Sequence, residues 1–363
     1  MRIENARIFY NGHFMDGAID FGRTVEAVTG ANIREDFCYV LPGLVDIHTH
    51  GAVGRDWSDG DAAGLQPLAD HYAAHGVTSF LATTMTLPEA ELTAALTALR
   101  DHRPTGSAKC AGVHLEGPFL CYGKRGAQPA EYLHAPDIDM LRRLQEVSGG
   151  IVKYITAAPE IDGALDFIGA ASKLCTVSLG HTEADYETAC RAFERGASSV
   201  THLFNAMPPL LHRDPGVIGA ALTAGASVEL IADGLHVHPT AVLAAHKLFG
   251  EKLCLISDSL RAAGIPDGRY TLGGQPIVVQ NGRATLENGT LAGSTISVLD
   301  GLQNAVRFGV PLEDAVYAAT AAPADAAKLD CGRIAVGKAA DLTVLNPDLS
   351  FRAVYIDGKP FSK

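Results

Sequence analysis

The sequence predicts an α/β fold, a (β/α)8 TIM barrel with a small discontinuous β-sandwich domain formed by both termini. Two observations predict it. Eight β-rich runs alternate with helix-like segments through the middle of the chain, whereas short strands and turns without a convincing helix occupy its two ends. Strands that alternate with helices imply a parallel sheet, and eight repeats imply that this sheet closes into a barrel.

The eight predicted barrel strands are rich in apolar residues. They are Tyr39–Asp46, Gly76–Thr83, Cys110–Glu116, Ile151–Ala157, Thr176–His181, Ser198–His202, Val228–Asp233 and Leu253–Asp258. Helix-like segments lie between them, for example Asp61–His75, Pro88–Leu99, Glu183–Arg195 and Pro239–Phe249. We expect residues 42–324 to form the barrel.

The two ends of the chain contain further short strands. They are predicted at Arg2–Phe9, Ala18–Phe21, Thr24–Val28, Arg333–Gly337, Asp341–Leu345 and Ala353–Ile356. Neither set is large enough to bury a core alone. We therefore expect residues 1–41 and 325–363 to form one small β domain together.

Composition limits the class of protein. A net charge of −12 and the lack of a Lys/Arg cluster argue against a nucleic-acid partner. No run approaches the length of a membrane span, and the N-terminus has no apolar signal core. Seven cysteines without a C-x-x-C pair fit reduced thiols. We expect a soluble cytoplasmic protein without a membrane partner.

Histidines and acids lie at the ends of the predicted strands. His48 and His50 end the first apolar run, and residues i and i+2 of a strand point to the same face. Later strand ends carry Glu116, His181, His202, His236 and Asp258. The C-terminal strand ends form the active face of a (β/α)8 barrel. Because 14 histidines scattered at random would rarely converge in this way, the pattern predicts a metal site.

A long loop follows the eighth predicted strand. It runs from Arg261 to about Gly293 and contains the short β-like runs Tyr270–Leu272, Ile277–Val279 and Ala284–Leu286, separated by glycine turns. These runs predict hairpin strands folded over the barrel mouth. A loop of this length in a compact fold is usually functional.

Six motifs together identify a family. They are P-G-L-V-D-I-H-T-H-G, H-L-E-G-P-F, G-H-T, T-H-L-F-N-A-M-P, A-D-G-L-H-V and L-A-G-S-T. With them the chain resembles, over essentially its whole length, the N-acetylglucosamine-6-phosphate deacetylase family of the amidohydrolase superfamily. The resemblance implies metal-dependent hydrolysis of N-acetylglucosamine 6-phosphate to glucosamine 6-phosphate and acetate.

The resemblance also implies a set of metal ligands. Glu116, His181 and His202 would hold one divalent metal and leave a position open for water. His48 and His50, with Glu116 as a bridge and Asp258 nearby, would hold a second, so we expect one or two metals per subunit. Zinc or iron is expected, with manganese or cobalt as alternatives. Asp258 would take a proton from the water and pass it to the leaving amine.

Substrate contacts follow from the same resemblance. They are expected from Ala127, Gln128, Asn205, Ala206, His236, Leu291, Ala292 and Gly293. Gln128 stands where relatives often have a histidine, and its amide can donate to the carbonyl oxygen but cannot carry charge. Arg213 corresponds to the arginine that reaches the phosphate from the neighbouring subunit, so we expect a homodimer.

Two other hypotheses stay open. The chemistry could act on N-acetylgalactosamine 6-phosphate or on another amide, such as a cyclic ureide or a deaminase substrate, because nothing in the sequence distinguishes sugar epimers. A non-catalytic scaffold is the hypothesis of a different class. Such a protein should have lost ligands, whereas only the Gln128 position departs from the expected pattern.

Overall fold

Eight parallel strands form the barrel in the computed structural model, which describes residues 1–362. In chain order they are Leu44–Thr49, Val77–Thr84, Lys109–Glu116, Val152–Ala157, Thr176–Leu179, Ser199–Val200, Ser227–Ile231 and Leu253–Ile256. The backbone N–H of Asp258 donates to the carbonyl of His48 at 2.9 Å and so joins the last strand to the first. The predicted fold class is therefore confirmed.

Helices alternate with these strands and cover the barrel. They are Ala62–Ala74, Glu89–Asp101, Ile138–Ser148, Ala164–Ala171, Tyr186–Glu194, Gly216–Ala224, Pro239–Phe249, Val298–Arg307, Leu312–Ala318 and Ala321–Ala326. Short 3-10 turns occur at Trp57–Asp59, Tyr122–Lys124, Ala130–Tyr132 and Gly250–Lys252. The helix Ile138–Ser148 shows how the sequence sets such ends, because Asp137 caps its first N–H groups and Gly149 ends it with a φ of 71°. The four predicted helices are confirmed.

The chain ends meet in a second sheet of seven strands. Their order across the sheet is Lys359–Pro360, Phe351–Ile356, Leu342–Leu345, Cys38–Pro42, Arg2–Tyr10, His13–Phe21 and Val25–Gly30. The strand Cys38–Pro42 pairs with a strand from each end of the chain and so unites the two ends. This sheet has its own apolar core, which includes Ile8, Ile19 and Phe21. The domain boundaries given above remain a prediction.

Two predicted strands were wrong. Tyr39–Asp46 is divided at Gly43 between the second sheet and the barrel, and a Cβ at Gly43 would lie 2.0 Å from the Thr78 hydroxyl oxygen. Only glycine therefore fits where the chain passes from one sheet to the other. Arg333–Gly337 forms no strand, since Gly337 turns there with a φ of 87° and only its N–H reaches the sheet edge, at Val25.

The long loop after the eighth barrel strand forms a three-stranded antiparallel sheet. Its strands are Gly268–Leu272, Gln275–Gln280 and Arg283–Leu286, which confirms the predicted hairpins. The Gln275 side chain donates to the carbonyl of Ala127 at 2.6 Å, so the sheet is fastened to the loop after the third barrel strand. A further pair of two-residue strands, Gly51–Ala52 and Arg55–Asp56, follows the first barrel strand.

Two general expectations can be compared with the fold. Within residues 1–362 the longest helices have 13 residues, and none is long and apolar enough to cross a membrane. The seven cysteines are all free thiols. That they are reduced in the cell stays a prediction.

Candidate metal centre and active-site cavity

Six predicted metal ligands converge at the C-terminal end of the barrel. Glu116, His181 and His202 form what we call the first ligand group, and His48, His50 and Asp258 form the second. Within each group the candidate ligand atoms all lie within 4.8 Å of one another. All six residues are buried. The structure thus brings together the residues that the sequence predicted as ligands.

The first ligand group consists of atoms that can only accept. Glu116 Oε1 lies 3.0 Å from His181 Nε2 and 3.1 Å from His202 Nε2, and the two nitrogens are 3.0 Å apart. His181 Nδ1 lies 2.8 Å from the carbonyl of Lys124, and His202 Nδ1 lies 3.2 Å from that of Asn205. Because a carbonyl only accepts, each Nδ1 carries the proton and each Nε2 presents a lone pair.

This arrangement suits a divalent metal. Two lone pairs and a carboxylate oxygen that face one another repel unless a positive charge lies between them. Two ligand atoms that are each about 2.1 Å from a tetrahedral zinc ion lie about 3.4 Å apart. The distances of 3.0 to 3.1 Å in the first ligand group are slightly shorter than this. The residues present therefore fit the metal that the family implies.

The ligand atoms of the second group lie similarly close together. His48 Nε2 and His50 Nε2 are 3.3 Å apart, and Asp258 Oδ1 lies 3.4 Å from each of them. Glu116 Oε2 lies 3.2 Å from His50 Nε2, while its Oε1 faces the first ligand group. The carboxylate of Glu116 therefore lies between the two groups, as a bridging ligand would.

The electrostatics of the centre favour positive charge. Burial lowers the pKa of His50, but the neighbouring Asp258 and Glu116 outweigh it and raise this pKa to about 9. Burial raises the pKa of Glu116, but the charges and hydrogen bonds of histidines, foremost His48 and His181, hold it well below its usual value. The field that favours a proton on His50 also favours a metal cation between the groups.

The backbone presents the ligands in two ways. His48 lies in the extended first barrel strand, and His50 is the residue directly after that strand. His181, His202 and Asp258 instead stand just beyond their strands with φ of 48°, 30° and 48°. Non-glycine residues adopt this left-handed region at a cost, and such positions concentrate at functional sites. These three strained positions are three of the six candidate ligands.

Two further buried side chains form hydrogen bonds with the ligands. Gln128 donates from Nε2 to Glu116 Oε2, and its Oε1 accepts the backbone N–H of Thr86 at 2.8 Å. Glu229 Oε2 lies 2.8 Å from His48 Nδ1. Glu229 was not predicted as a functional residue, although a lone charged residue in the apolar run Val228–Ile231 was a usable signal.

A cavity of about 280 Å³ lies above the metal centre. The predicted substrate residues that line it are Ala127, Gln128, Asn205, Ala206, His236, Leu291, Ala292 and Gly293. His236 is oriented by Asp233, whose carboxylate accepts from its Nδ1 at 2.7 Å. Lys124 also lines the cavity and was missed, and within residues 1–362 it is the single lysine or arginine that does so.

Arg213 does not line this cavity. It is exposed on a loop before the helix Gly216–Ala224, where its guanidinium lies 2.8 Å from His212 Nε2. The structure therefore does not bring Arg213 to the metal centre of its own chain. A contact with the cavity of a second subunit stays a prediction.

Comparisons with known proteins identify relatives of this chain. The chain is 38% identical to the N-acetylglucosamine-6-phosphate deacetylase of Vibrio furnissii, over 88% of the chain and 82% of that protein. It is 36% identical to the N-acetylgalactosamine-6-phosphate deacetylase of Escherichia coli O157:H7, over 95% of the chain and 92% of that protein.

A solved structure shares the whole fold. It is a mutant N-acetyl-D-glucosamine-6-phosphate deacetylase from Mycobacterium smegmatis in complex with N-acetyl-D-glucosamine 6-phosphate, with a TM-score of 0.93 and 32% identity over 98% of this chain and 97% of that one. The model of the amidohydrolase family matches residues 39–361. The resemblance predicted from the motifs is confirmed, and this chain belongs to the amidohydrolase family.

Proposed function

We propose that this protein hydrolyses N-acetylglucosamine 6-phosphate to glucosamine 6-phosphate and acetate. The observation that carries the proposal is the convergence of acceptor atoms from Glu116, His181 and His202 beside Asp258, at the floor of a cavity of about 280 Å³. This volume is near the lower end of small-molecule sites, about 300–1,000 Å³. The names of the relatives and the sugar phosphate bound in the neighbouring structure support this substrate.

The metal would be held by the two ligand groups. The first ligand group supplies three ligands, and the second supplies His48, His50 and Asp258 with Glu116 between the groups. When bound, a divalent metal lowers the pKa of a coordinated water toward ~7 and polarises the substrate carbonyl. We propose zinc or iron, with manganese or cobalt as alternatives, since imidazole and carboxylate ligands accept all four.

Asp258 would move the proton. Burial raises the pKa of its carboxyl, but the facing His48 and His50 outweigh burial and lower this pKa, so Asp258 is ionised at neutral pH. It can accept the proton that water loses as its oxygen bonds to the acetyl carbon. When the C–N bond breaks, Asp258 can return that proton to the amine nitrogen, which departs poorly as an anion.

Gln128 would act on the carbonyl oxygen. Its amide is held in one orientation, because Oε1 accepts from Thr86 and Nε2 donates to Glu116. One N–H is used by Glu116, and the second is left to donate to an oxygen in the cavity. We propose that it stabilises the negative charge that develops on the carbonyl oxygen, without carrying charge itself.

The remaining cavity residues would bind the sugar and its phosphate. His236, whose Nδ1 is held by Asp233, lines the cavity together with Asn205, Ala206 and the segment Leu291 to Gly293 and can contact the sugar or its phosphate. Arg213 would reach the phosphate of a neighbouring subunit, which makes the active protein a homodimer. A guanidinium suits this role because its donors match phosphate oxygens.

The N-acetylgalactosamine 6-phosphate alternative also has support. A relative named for that substrate covers 95% of the chain at 36% identity. The two substrates differ in the orientation of one hydroxyl, and such a difference can be decided by a single hydrogen bond in the cavity.

Acetate release tests both substrates. Purified protein should release acetate from N-acetylglucosamine 6-phosphate at a higher kcat/KM than from the galacto epimer, and much faster than from unphosphorylated N-acetylglucosamine. Chelation should abolish the release, and added metal should restore it. Faster hydrolysis of the galacto epimer would establish the alternative, and no metal-dependent release from either would contradict the proposal.

A further inference from the structure

We propose that Glu229 is a positioning residue that prepares His48 to hold the second metal. This inference rests on the proposed metal-dependent function and deepens it. Glu229 stands on the seventh barrel strand, Ser227–Ile231, with 0% of its surface exposed. A fully buried carboxylate is costly unless it is hydrogen-bonded or paired. A carboxylate at this position inside the barrel therefore needs partners that stabilise it.

The side-chain hydrogen bonds of Glu229 lead to the metal centre. Its Oε2 accepts from His48 Nδ1 at 2.8 Å and from the backbone N–H of His202 at 3.3 Å. Its backbone carbonyl accepts the N–H of Leu203 at 2.7 Å. Its Oε1 has no partner in the protein. Glu229 therefore contacts the side chain of His48 in the second ligand group. In the first ligand group it contacts only the backbone N–H of His202.

The four histidines differ in what holds their Nδ1 atoms. Backbone carbonyls hold His181 and His202, and His50 Nδ1 is buried without a partner. His48 is held by a carboxylate. Because a carboxylate accepts only, it keeps the proton on Nδ1 and leaves the Nε2 lone pair facing His50 and Asp258. A carboxylate behind a ligating histidine fixes its tautomer and orientation and raises its basicity.

The residues His48, His114 and Glu229 could instead form a third metal site, but this explains their contacts less well. His114 lies close enough to His48 and Glu229 to suggest such a site. His114 Nδ1, however, lies 3.1 Å from the carbonyl of Ile47, and its Nε2 lies 2.8 Å from the Thr156 hydroxyl. The carbonyl fixes the proton on Nδ1, so Nε2 accepts from Thr156 and has no lone pair left. Glu229 therefore acts here as a hydrogen-bond acceptor.

The test measures metal binding at each group. Wild type, Glu229→Gln and Glu229→Leu are titrated with zinc in buffers of defined free zinc, and bound zinc per chain is determined by elemental analysis. Loss of such a partner typically weakens metal affinity about 10- to 100-fold. We expect this loss for the second metal in Glu229→Leu and an unchanged first metal. The affinity of Glu229→Gln for the second metal should lie between those of wild type and Glu229→Leu. Its amide oxygen can still accept from His48, but its NH2 group can also turn toward His48.

A matched control removes another buried polar group. Tyr154 is fully buried in the barrel, donates its hydroxyl to Ser199, packs against His114 and belongs to neither ligand group. Tyr154→Phe should bind both metals as wild type does. If Glu229→Leu does not fold, Glu229→Gln decides, with its first metal and its circular dichroism as evidence that the barrel is intact.

The outcomes separate this inference from the proposed function. Wild-type affinity for both metals in the Glu229 variants that fold overturns the role of Glu229. Equal weakening of both metals also overturns it, because a general loss of structure predicts that result. A wild-type protein that binds only one zinc overturns it as well, but leaves the proposed hydrolysis standing. A wild-type protein that binds no metal overturns the proposed function itself.

Discussion

The two ligand groups occupy one centre but are built differently. In the first ligand group the backbone carbonyls of Lys124 and Asn205 hold the histidines in place. In the second ligand group the Glu229 side chain holds His48, and His50 has no partner at Nδ1. The left-handed backbone positions include both histidines of the first group and Asp258 of the second, whereas His48 lies in an ordinary extended strand and His50 directly follows it.

The difference shows which metal depends on which part of the molecule. A backbone carbonyl cannot be removed by changing its side chain, so the orientation of the two histidine rings of the first ligand group follows from the fold. The geometry of the second depends on individual side chains and can be lost one residue at a time. We therefore expect the first ligand group to bind its metal more tightly, and the second to vary with conditions and substitutions.

The largest expected effect comes from Glu116, because its carboxylate faces both groups. Glu116→Gln should remove most of both metals and reduce activity by more than the ~10²- to 10⁴-fold that general acid–base catalysis is worth. Elemental analysis and acetate release measure the two effects on the same sample. The exposed carboxylate of Glu183, outside both groups, provides the control, and Glu183→Gln should keep metal and activity. Full metal content in an inactive Glu116→Gln protein would exclude Glu116 as a ligand.

Asp258 separates catalysis from binding of the first metal. Asp258→Asn should lower kcat by ~10²- to 10⁴-fold, because the amide cannot take a proton from water. The first metal should stay, since Glu116, His181 and His202 are untouched, while the second should bind more weakly. Turnover near the wild-type rate, measured with the first metal bound, would rule out the proposed proton transfer.

Much of the fold could be predicted because the same unit, a strand followed by a helix, is repeated along the chain. The alternation of strands and helices fixed the barrel, and glycine turns fixed the hairpins over its mouth. The division at Gly43 was missed because one apolar run serves two sheets, and only the close approach of Thr78 shows why the chain must change sheets there. The strand predicted at Arg333–Gly337 was wrong because apolar residues beside a glycine also suit a turn at a sheet edge.

The residues of the site that lie at the ends of barrel strands could be predicted from the sequence. His48 and His50 were found from their spacing, and Glu116, His181 and His202 from repeated strand ends and the resemblance. Glu229 was missed because it lies in the middle of a strand, where a charge signals a buried partner that one sequence does not name. Lys124 was missed because its place depends on the path of an irregular loop, and no periodic pattern describes such a path.

The smallest expected effect concerns Arg213, which belongs to neither ligand group. Arg213→Ala should leave both metals and the hydrolysis of an unphosphorylated N-acetyl sugar unchanged. A charge-assisted hydrogen bond contributes roughly 1.5–3 kcal/mol, so kcat/KM for the phosphorylated substrate should fall about 10- to 100-fold. Arg142→Ala, which changes an exposed arginine of the helix Ile138–Ser148, is the control and should not alter it.

Mixed dimers decide whether Arg213 acts across the subunit interface. An Asp258→Asn chain keeps Arg213, and an Arg213→Ala chain keeps Asp258. If the arginine reaches into the neighbouring cavity, a mixed dimer contains one site in which both residues are intact. Activity on the phosphorylated substrate should then rise above that of either variant after the subunits have exchanged. If exchange is demonstrated by mass and activity does not rise, Arg213 acts within its own chain or not at all, and the shared site that requires a dimer is excluded.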